Sequence, residues 1–255
     1  MTDARTTALL EYIISDTKAI LGDSLVGIYL HGSLALGCFR WAVSDIDYLT
    51  VVEGEPTQAQ KEELVRSILA MEGDCPPKGI EMSVVRVDAC RNFVHPTPYV
   101  LHYSNAWRDS FCADLSGTCR DLHGADPDLA AHFTVTRAAG ITLCGAPIAE
   151  VFAPVPREAY LDSLRYDFAG AEDDIAENPV YVILNLCRTL GYLQDGVIRS
   201  KAQGGEWGLA HLPEDAGLIS AALAAYRGDG VFPHDIPAPV PVNFVRRCLE
   251  IIEKA

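Results

Sequence analysis

Two aspartates one residue apart, Asp45 and Asp47, head an otherwise apolar run, Tyr48-Leu49-Thr50-Val51-Val52. On an extended strand, residues two positions apart project from the same face. Carboxylates paired in this way repel each other, and a strand that enters a core has no structural use for them. A divalent cation removes the repulsion, and magnesium prefers carboxylate oxygens and substrate phosphates to an all-protein cage. Two such ions, roughly 3.5–4 Å apart, can hold the attacking and leaving oxygens of an in-line displacement. Glu81 lies on a later strand-like segment and joins the pair if the two strands are neighbours. It would then either bind metal or take the proton of an attacking hydroxyl. Upstream, Gly32-Ser33 has the chemistry of a phosphate cradle: glycine allows close backbone approach, and N–H groups at a helix start favour an anion. By itself Gly-Ser reads equally well as a helix cap. The aspartates give it chemical meaning.

These residues need a sheet to align them. Residues 6–21 carry Leu9, Leu10, Ile13, Ile14 and Ile20 at helical spacing, and Gly22-Asp23 ends the pattern. Leu25 to Leu30 reads as a buried strand running to His31, after which the Gly-Ser turn opens a helix. Asp45 to Val52 reads as a second strand, 57–71 as a helix after Pro56, and Ile80 to Val87 as a third strand. That third strand puts Glu81, Ser83 and Val85 on one face, with Ile80, Met82 and Val84 on the other. Helical patterns follow at 127–142, 156–175, 179–194 and 243–252, and three begin with proline, as first turns often do. Gly145 to Pro156 holds three prolines without periodicity and reads as a linker. The expected organisation is an α/β domain over residues 1–150, a small mixed sheet with helices. An all-α helical bundle over 151–255 follows it.

Composition narrows the classes. Of 255 residues, 49% are hydrophobic, enough for a proper core and too many for a disordered chain. Twenty Lys and Arg against 35 Asp and Glu leave a net charge of −15, the opposite of what a nucleic-acid backbone requires. An acidic surface suits a cationic small-molecule partner, or simply keeps the protein dissolved. No apolar stretch reaches the roughly 18–20 residues of a membrane span, and no basic segment leads an apolar one at the start. The eight cysteines are scattered with no C-x-x-C pair, as expected for thiols in a reducing cytoplasm rather than disulfides or zinc ligands. A monomer is expected.

Gly32-Ser33 followed by Ser44-Asp45-Ile46-Asp47, with Glu81 on a later strand, resembles the DNA polymerase β-like nucleotidyltransferase superfamily. The likeness continues beyond that motif. Tyr103 to Trp107, Asp128-Leu129-Ala130, Gly145 to Pro156, Leu184 to Arg188, Ser200-Lys201 and Glu206-Trp207 resemble the streptomycin/spectinomycin (3″)(9) adenylyltransferases. The resemblance implies transfer of AMP from ATP to a hydroxyl of an aminoglycoside or aminocyclitol, which inactivates the drug. It implies Asp45 and Asp47 as magnesium ligands, Glu81 as general base, and Ser33 and Ser44 beside the triphosphate. Arg188 and Lys201 would reach the phosphates and Tyr226 the nucleotide. Trp107, Asp174 and Asn178 would meet the acceptor. ATP follows from this resemblance alone, since no residue here reads a purine.

Read from their own surroundings, these residues keep bland alternatives. Arg188, among Leu184, Leu186, Cys187 and Leu190, is either paired by a phosphate or a snorkelled surface arginine. Lys201 after Ser200 is equally an ordinary lysine behind a helix cap. Trp107 reads as core, and Glu172 to Asp174 as a solvated helix end. The stretch Tyr166-Asp167-Phe168-Ala169 also lacks the tryptophan that family members using both drugs carry before the acidic run. A spectinomycin-like acceptor is therefore favoured over streptomycin. The rival functions are nucleotidyl transfer to another small molecule, RNA or protein hydroxyl, and a catalytically silent nucleotide-binding module. Retention of Asp45, Asp47 and Glu81 together disfavours the silent module.

Overall fold

The computed structural model describes residues 3–255. The chain divides into two compact units, Met1–Ala159 and Tyr160–Ala255. In the first, α1 (Ala4–Leu21) leads to β1 (Leu25–Leu30), the one-turn α2 (Gly32–Ala35), β2 (Ile46–Val52), α3 (Gln58–Ala70), β3 (Ile80–Arg86) and α4 (Val87–Arg91). Short strands β4 (Thr97–Tyr99) and β5 (Leu101–Tyr103) precede α5 (Arg108–Ala113), α6 (Leu115–Asp121) and β6 (Gly124–Asp126). The unit continues with α7 (Leu129–Ala139), β7 (Ile141–Gly145) and α8 (Ile148–Val151).

The main sheet runs β5-β3-β2-β1-β7, and β4 pairs separately with β6. Only β2 and β3 are parallel within it; the remaining pairs are antiparallel. A parallel pair requires a crossover, which α3 provides. Its start is fixed by a capping box in which Thr57 accepts from the Gln60 N–H and the Gln60 side chain accepts from the Thr57 N–H. Alternation along the strands then separates two cores. Ile28, Leu30, Ile46, Tyr48, Ile80, Met82 and Val84 pack on the side of α1 and α3. Tyr29, Leu49, Val51 and Val85 pack on the other side, with Leu129 and Phe133 of α7 and with Val151 and Phe152.

The last two residues explain a departure from expectation. Gly145 to Pro156 is no free linker: Val151 is fully buried, Phe152 is 1% exposed, and both are sealed into the first unit's core. The compact units divide at Ala159/Tyr160. The helix expected over 127–142 stops at Ala139, and Ile141–Gly145 leaves as the edge strand paired with β1. Five residues with no buried position carry no period to separate them from a helix end.

The second unit is all helical. The helix α9 (Arg157–Asp167) leads into it, followed by α10 (Ala171–Asp174), α11 (Pro179–Asp195), α12 (Lys201–His211), α13 (Ala216–Arg227) and α14 (Pro239–Glu253). The single helix expected over 156–175 is thus broken at Gly170, the cap residue of α10. Helix α11 forms the centre, with Ile183, Leu184, Leu186 and Cys187 fully buried. Glycines let α12 lie directly on it: a Cβ at Gly204 would be 2.5 Å from Arg188 Cβ, and one at Gly208 would be 2.7 Å from Cys187 Sγ. Among the described residues no helix is long and apolar enough to cross a membrane.

Gly204→Ala sets two effects against each other. Helix propensity favours alanine by about 1 kcal/mol, whereas overpacking costs about 1–3 kcal/mol. The obstructing atoms include the Arg188 backbone, which cannot swing aside, so the urea midpoint should fall. Gly217→Ala, with nothing within 4 Å of the added methyl, should instead hold or raise it.

Candidate active site

The site is built where β2 and β3 begin. Their parallel register sets Asp47 opposite Glu81, on the face that Leu49, Val51 and Val85 share. Asp45 stands one residue ahead of β2. Its position is therefore set by the loop entering the strand, and not by the alternation expected for Asp45 to Val52. All three acids are half-buried, and ligand oxygens from each lie within 4.8 Å of one another. Burial raises the Glu81 carboxyl above its ordinary range; Asp128, Asp45 and Asp126 add to the effect, and His132 opposes it.

The phosphate-type motif lies against these acids. The His31 N–H donates to the Asp47 carbonyl at 3.0 Å, tying the end of β1 to the start of β2. Gly32 follows with φ +61, and any Cβ there would overlap Asp47 Oδ2. Both its backbone angle and its contact exclude other residues. Ser33 Oγ is buried and meets no hydrogen-bond partner within the protein. Because α2 is one turn long, the hydroxyl rather than a helix dipole is what this segment offers an anion. Ser44 is buried. Its Oγ accepts from Arg40 N–H at 3.1 Å while its own N–H donates to the Arg40 carbonyl at 2.9 Å, closing the loop before Asp45. The Ser44 hydroxyl hydrogen remains to donate elsewhere.

Behind Glu81 stand residues that the sequence reading did not single out as a site. Asp128 and His132 occupy one face of α7, four residues apart. His132 Nε2 is 3.2 Å from Asp128 Oδ2 and 3.6 Å from Glu81 Oε1. Its ring packs on His31, centroids 4.7 Å apart. Burial by itself would lower the His132 pKa, but Asp128, Glu81 and Asp47 together push it up to about 10. His31, buried and facing that imidazole, is held well below its ordinary value. On the next position of the Glu81 face, Ser83 Oγ lies 3.0 Å from His102 Nδ1. The available signal was the Asp128-x-x-x-His132 spacing within a segment already expected to be helical.

The remaining expected residues are distributed otherwise. Trp107 ends a short 3₁₀ turn in the first unit and is 41% exposed, which removes the core reading. In the second unit, Arg188 is half-buried on α11, its Cα and Cβ against Gly204 of α12. Lys201 opens α12 one turn earlier, behind a capping box of Ser200 and Gln203, and its Nζ lies 4.8 Å from the Tyr181 ring centroid. Tyr226 is half-buried near the end of α13. Asp174 and Asn178 are both exposed, between α10 and the start of α11. The neighbouring Glu172 pairs with Arg246 at 2.8 Å.

Three mutually close carboxylates, a buried hydroxyl without a partner and a glycine admitting no side chain form a donor set suited to magnesium and a polyphosphate. The carboxylates lie at the start of two parallel strands in a mixed sheet, and a wholly helical unit follows in the chain. Residues 150–249 match the family model of the aminoglycoside adenylyltransferase C-terminal domain. More particularly, the chain is similar to the spectinomycin 9-adenylyltransferase of Staphylococcus aureus, strain N315, with 29% identity over 221 residues, covering 83% of this chain and 82% of the relative. The Campylobacter jejuni enzyme of the same name is 26% identical over 222 residues, 85% of this chain and 84% of its own. The fold also matches the crystal structure of a spectinomycin adenyltransferase from Enterococcus faecialis with ATP and spectinomycin. The TM-score is 0.81 at 18% identity, covering 96% of this chain and 99% of that one.

Magnesium or manganese should raise the melting temperature of EDTA-stripped protein, because a cation relieves the repulsion among the three acids. At a hundred times its Kd, a bound ion adds about 2.7 kcal/mol. Asp47→Asn should remove the increment in a thermal-shift titration; an unchanged increment would place the cation elsewhere.

Proposed function

We propose that the protein is a magnesium-dependent adenylyltransferase that moves AMP from ATP to a hydroxyl of a spectinomycin-like aminocyclitol, inactivating the drug. The observation that carries this reading is the parallel register that lays Glu81 beside Asp47. It joins a candidate base to a candidate metal ligand on one face. The C-terminal family match and the relatives' names support the acceptor class.

Asp45 and Asp47 are the residues to hold magnesium, with Glu81 near enough to share in it. When bound, the ion supplies charge neutralisation to the phosphates and to the departing pyrophosphate. Glu81 takes the acceptor's hydroxyl proton, for which a carboxylate made more basic by burial is suited. The acceptor oxygen bonds to the α-phosphorus in line, and the bond from that phosphorus to the bridging oxygen breaks, releasing pyrophosphate. Ser33 and Ser44 donate to the triphosphate, Arg188 and Lys201 bind its charge, and Tyr226 lies on the nucleotide side. Trp107, Asp174 and Asn178 belong to acceptor binding. Positioning and fixed charge provide most of the acceleration.

In this reading the first unit carries the acids that do the chemistry. The net charge of −15 suits a cationic acceptor rather than nucleic acid. All eight cysteines are free, which fits a reducing compartment such as the cytoplasm. The absence of a tryptophan in Tyr166 to Ala169 favours spectinomycin over streptomycin.

The test is pyrophosphate release from magnesium ATP with spectinomycin, streptomycin and a panel of aminoglycosides. Release with spectinomycin is expected. No release with any acceptor, alongside an ATP-dependent rise in melting temperature, would instead identify a silent binding module. Glu81→Gln should lower transfer by on the order of 100-fold or more while ATP binding, measured calorimetrically, persists. Retained transfer would remove Glu81 from the role of base.

A further inference from the structure

We propose that His132 is a positioning residue for Glu81: anchored by Asp128 and packed on His31, it holds one oxygen of the Glu81 carboxylate and leaves the other for the acceptor hydroxyl. The need for such a device arises from the site itself. Glu81 is a flexible side chain set close to Asp45 and Asp47, and like charges at that range drive its carboxylate away from the pair. A general base displaced by even an ångström loses most of its effect. Something must keep it pointed inward.

The imidazole is held from several directions. Asp128 is itself fixed, its N–H donating to Asp126 Oδ1 at 2.9 Å. The helical spacing of α7 then brings Asp128 Oδ2 to 3.2 Å from His132 Nε2. The same nitrogen is 3.6 Å from Glu81 Oε1, so it stands close to two acids on different elements. The ring face is covered by His31, tilted 40° to it, and the His31 backbone is tied to Asp47. His132 therefore links the helix covering the sheet to both strands that carry the acids. It touches neither nucleotide nor acceptor in this scheme, and acts through Glu81.

His132→Phe and His132→Gln test the idea, the second because a glutamine Nε2 can replace the imidazole donor. His132→Phe should lower kcat for spectinomycin adenylylation by on the order of 100-fold with the KM for ATP and acceptor unchanged, and His132→Gln should recover most of the loss. Crystal structures should show the Glu81 carboxylate displaced or in several rotamers in His132→Phe and restored in His132→Gln. Wild-type kcat in His132→Phe, equal loss in both variants, or an unmoved Glu81 would each overturn the assignment. The kinetic part rests on the proposed reaction. If wild-type protein transfers nothing to any acceptor, that reaction fails, while the Glu81 rotamer still decides the role of His132.

Discussion

The parallel pairing of β2 with β3 is the constraint on which the rest of the site depends. It opposes Asp47 to Glu81 across one ladder step, and a one-residue slip would turn either acid toward the α1 and α3 core. Register is held by the apolar residues beyond them. Tyr48, Met82 and Val84 are locked into one core, and Leu49, Val51 and Val85 into the other. The placement of the acids is thus secured by packing further along the strands, away from the charged end. Helix α3, with its capped start and its buried Lys61 reaching the exposed Glu55 at 2.8 Å, spans the crossover between the two strands.

Collecting carboxylates at a sheet end has a cost in repulsion and desolvation, and the surroundings are arranged to bear it. Gly32 yields its side-chain volume to Asp47. His132 places a cation-forming group among Glu81, Asp128 and Asp47. The neighbouring His31, buried and facing that imidazole, is pushed toward the neutral form. The balance is local: most of the chain's acidic excess lies outside this cluster.

The second unit follows a different rule. Its centre is α11, largely buried, against which α12 sits by virtue of the close approach allowed at Gly204, Gly205 and Gly208. Close backbone contact fixes Arg188 and the start of α12 relative to each other. At that start Lys201 lies over the Tyr181 ring, its Nζ 4.8 Å from the centroid.

Much of this was legible from residue order alone. The apolar and period-two runs marked the three main strands nearly residue by residue, and the Asp-x-Asp motif marked the strand head where the structure gathers its acids. Segments that were misread fail for physical reasons. Ile141 to Gly145 is a short edge strand without its own period, and the proline-rich Gly145 to Pro156 is anchored by its buried Val151 and Phe152. Helix α12 carries glycines at the helix contact, so its sequence lacks the apolar stripe that marks a packed helix. Sequence by itself determined which residue types were available and which strand faces they occupied. Only the tertiary structure decided that Asp45 reaches the cluster from a loop, and that Trp107 is exposed. It alone brought His132 and Asp128 of α7 to Glu81 of β3, since the pairing of elements distant in the chain is set by how their apolar faces pack.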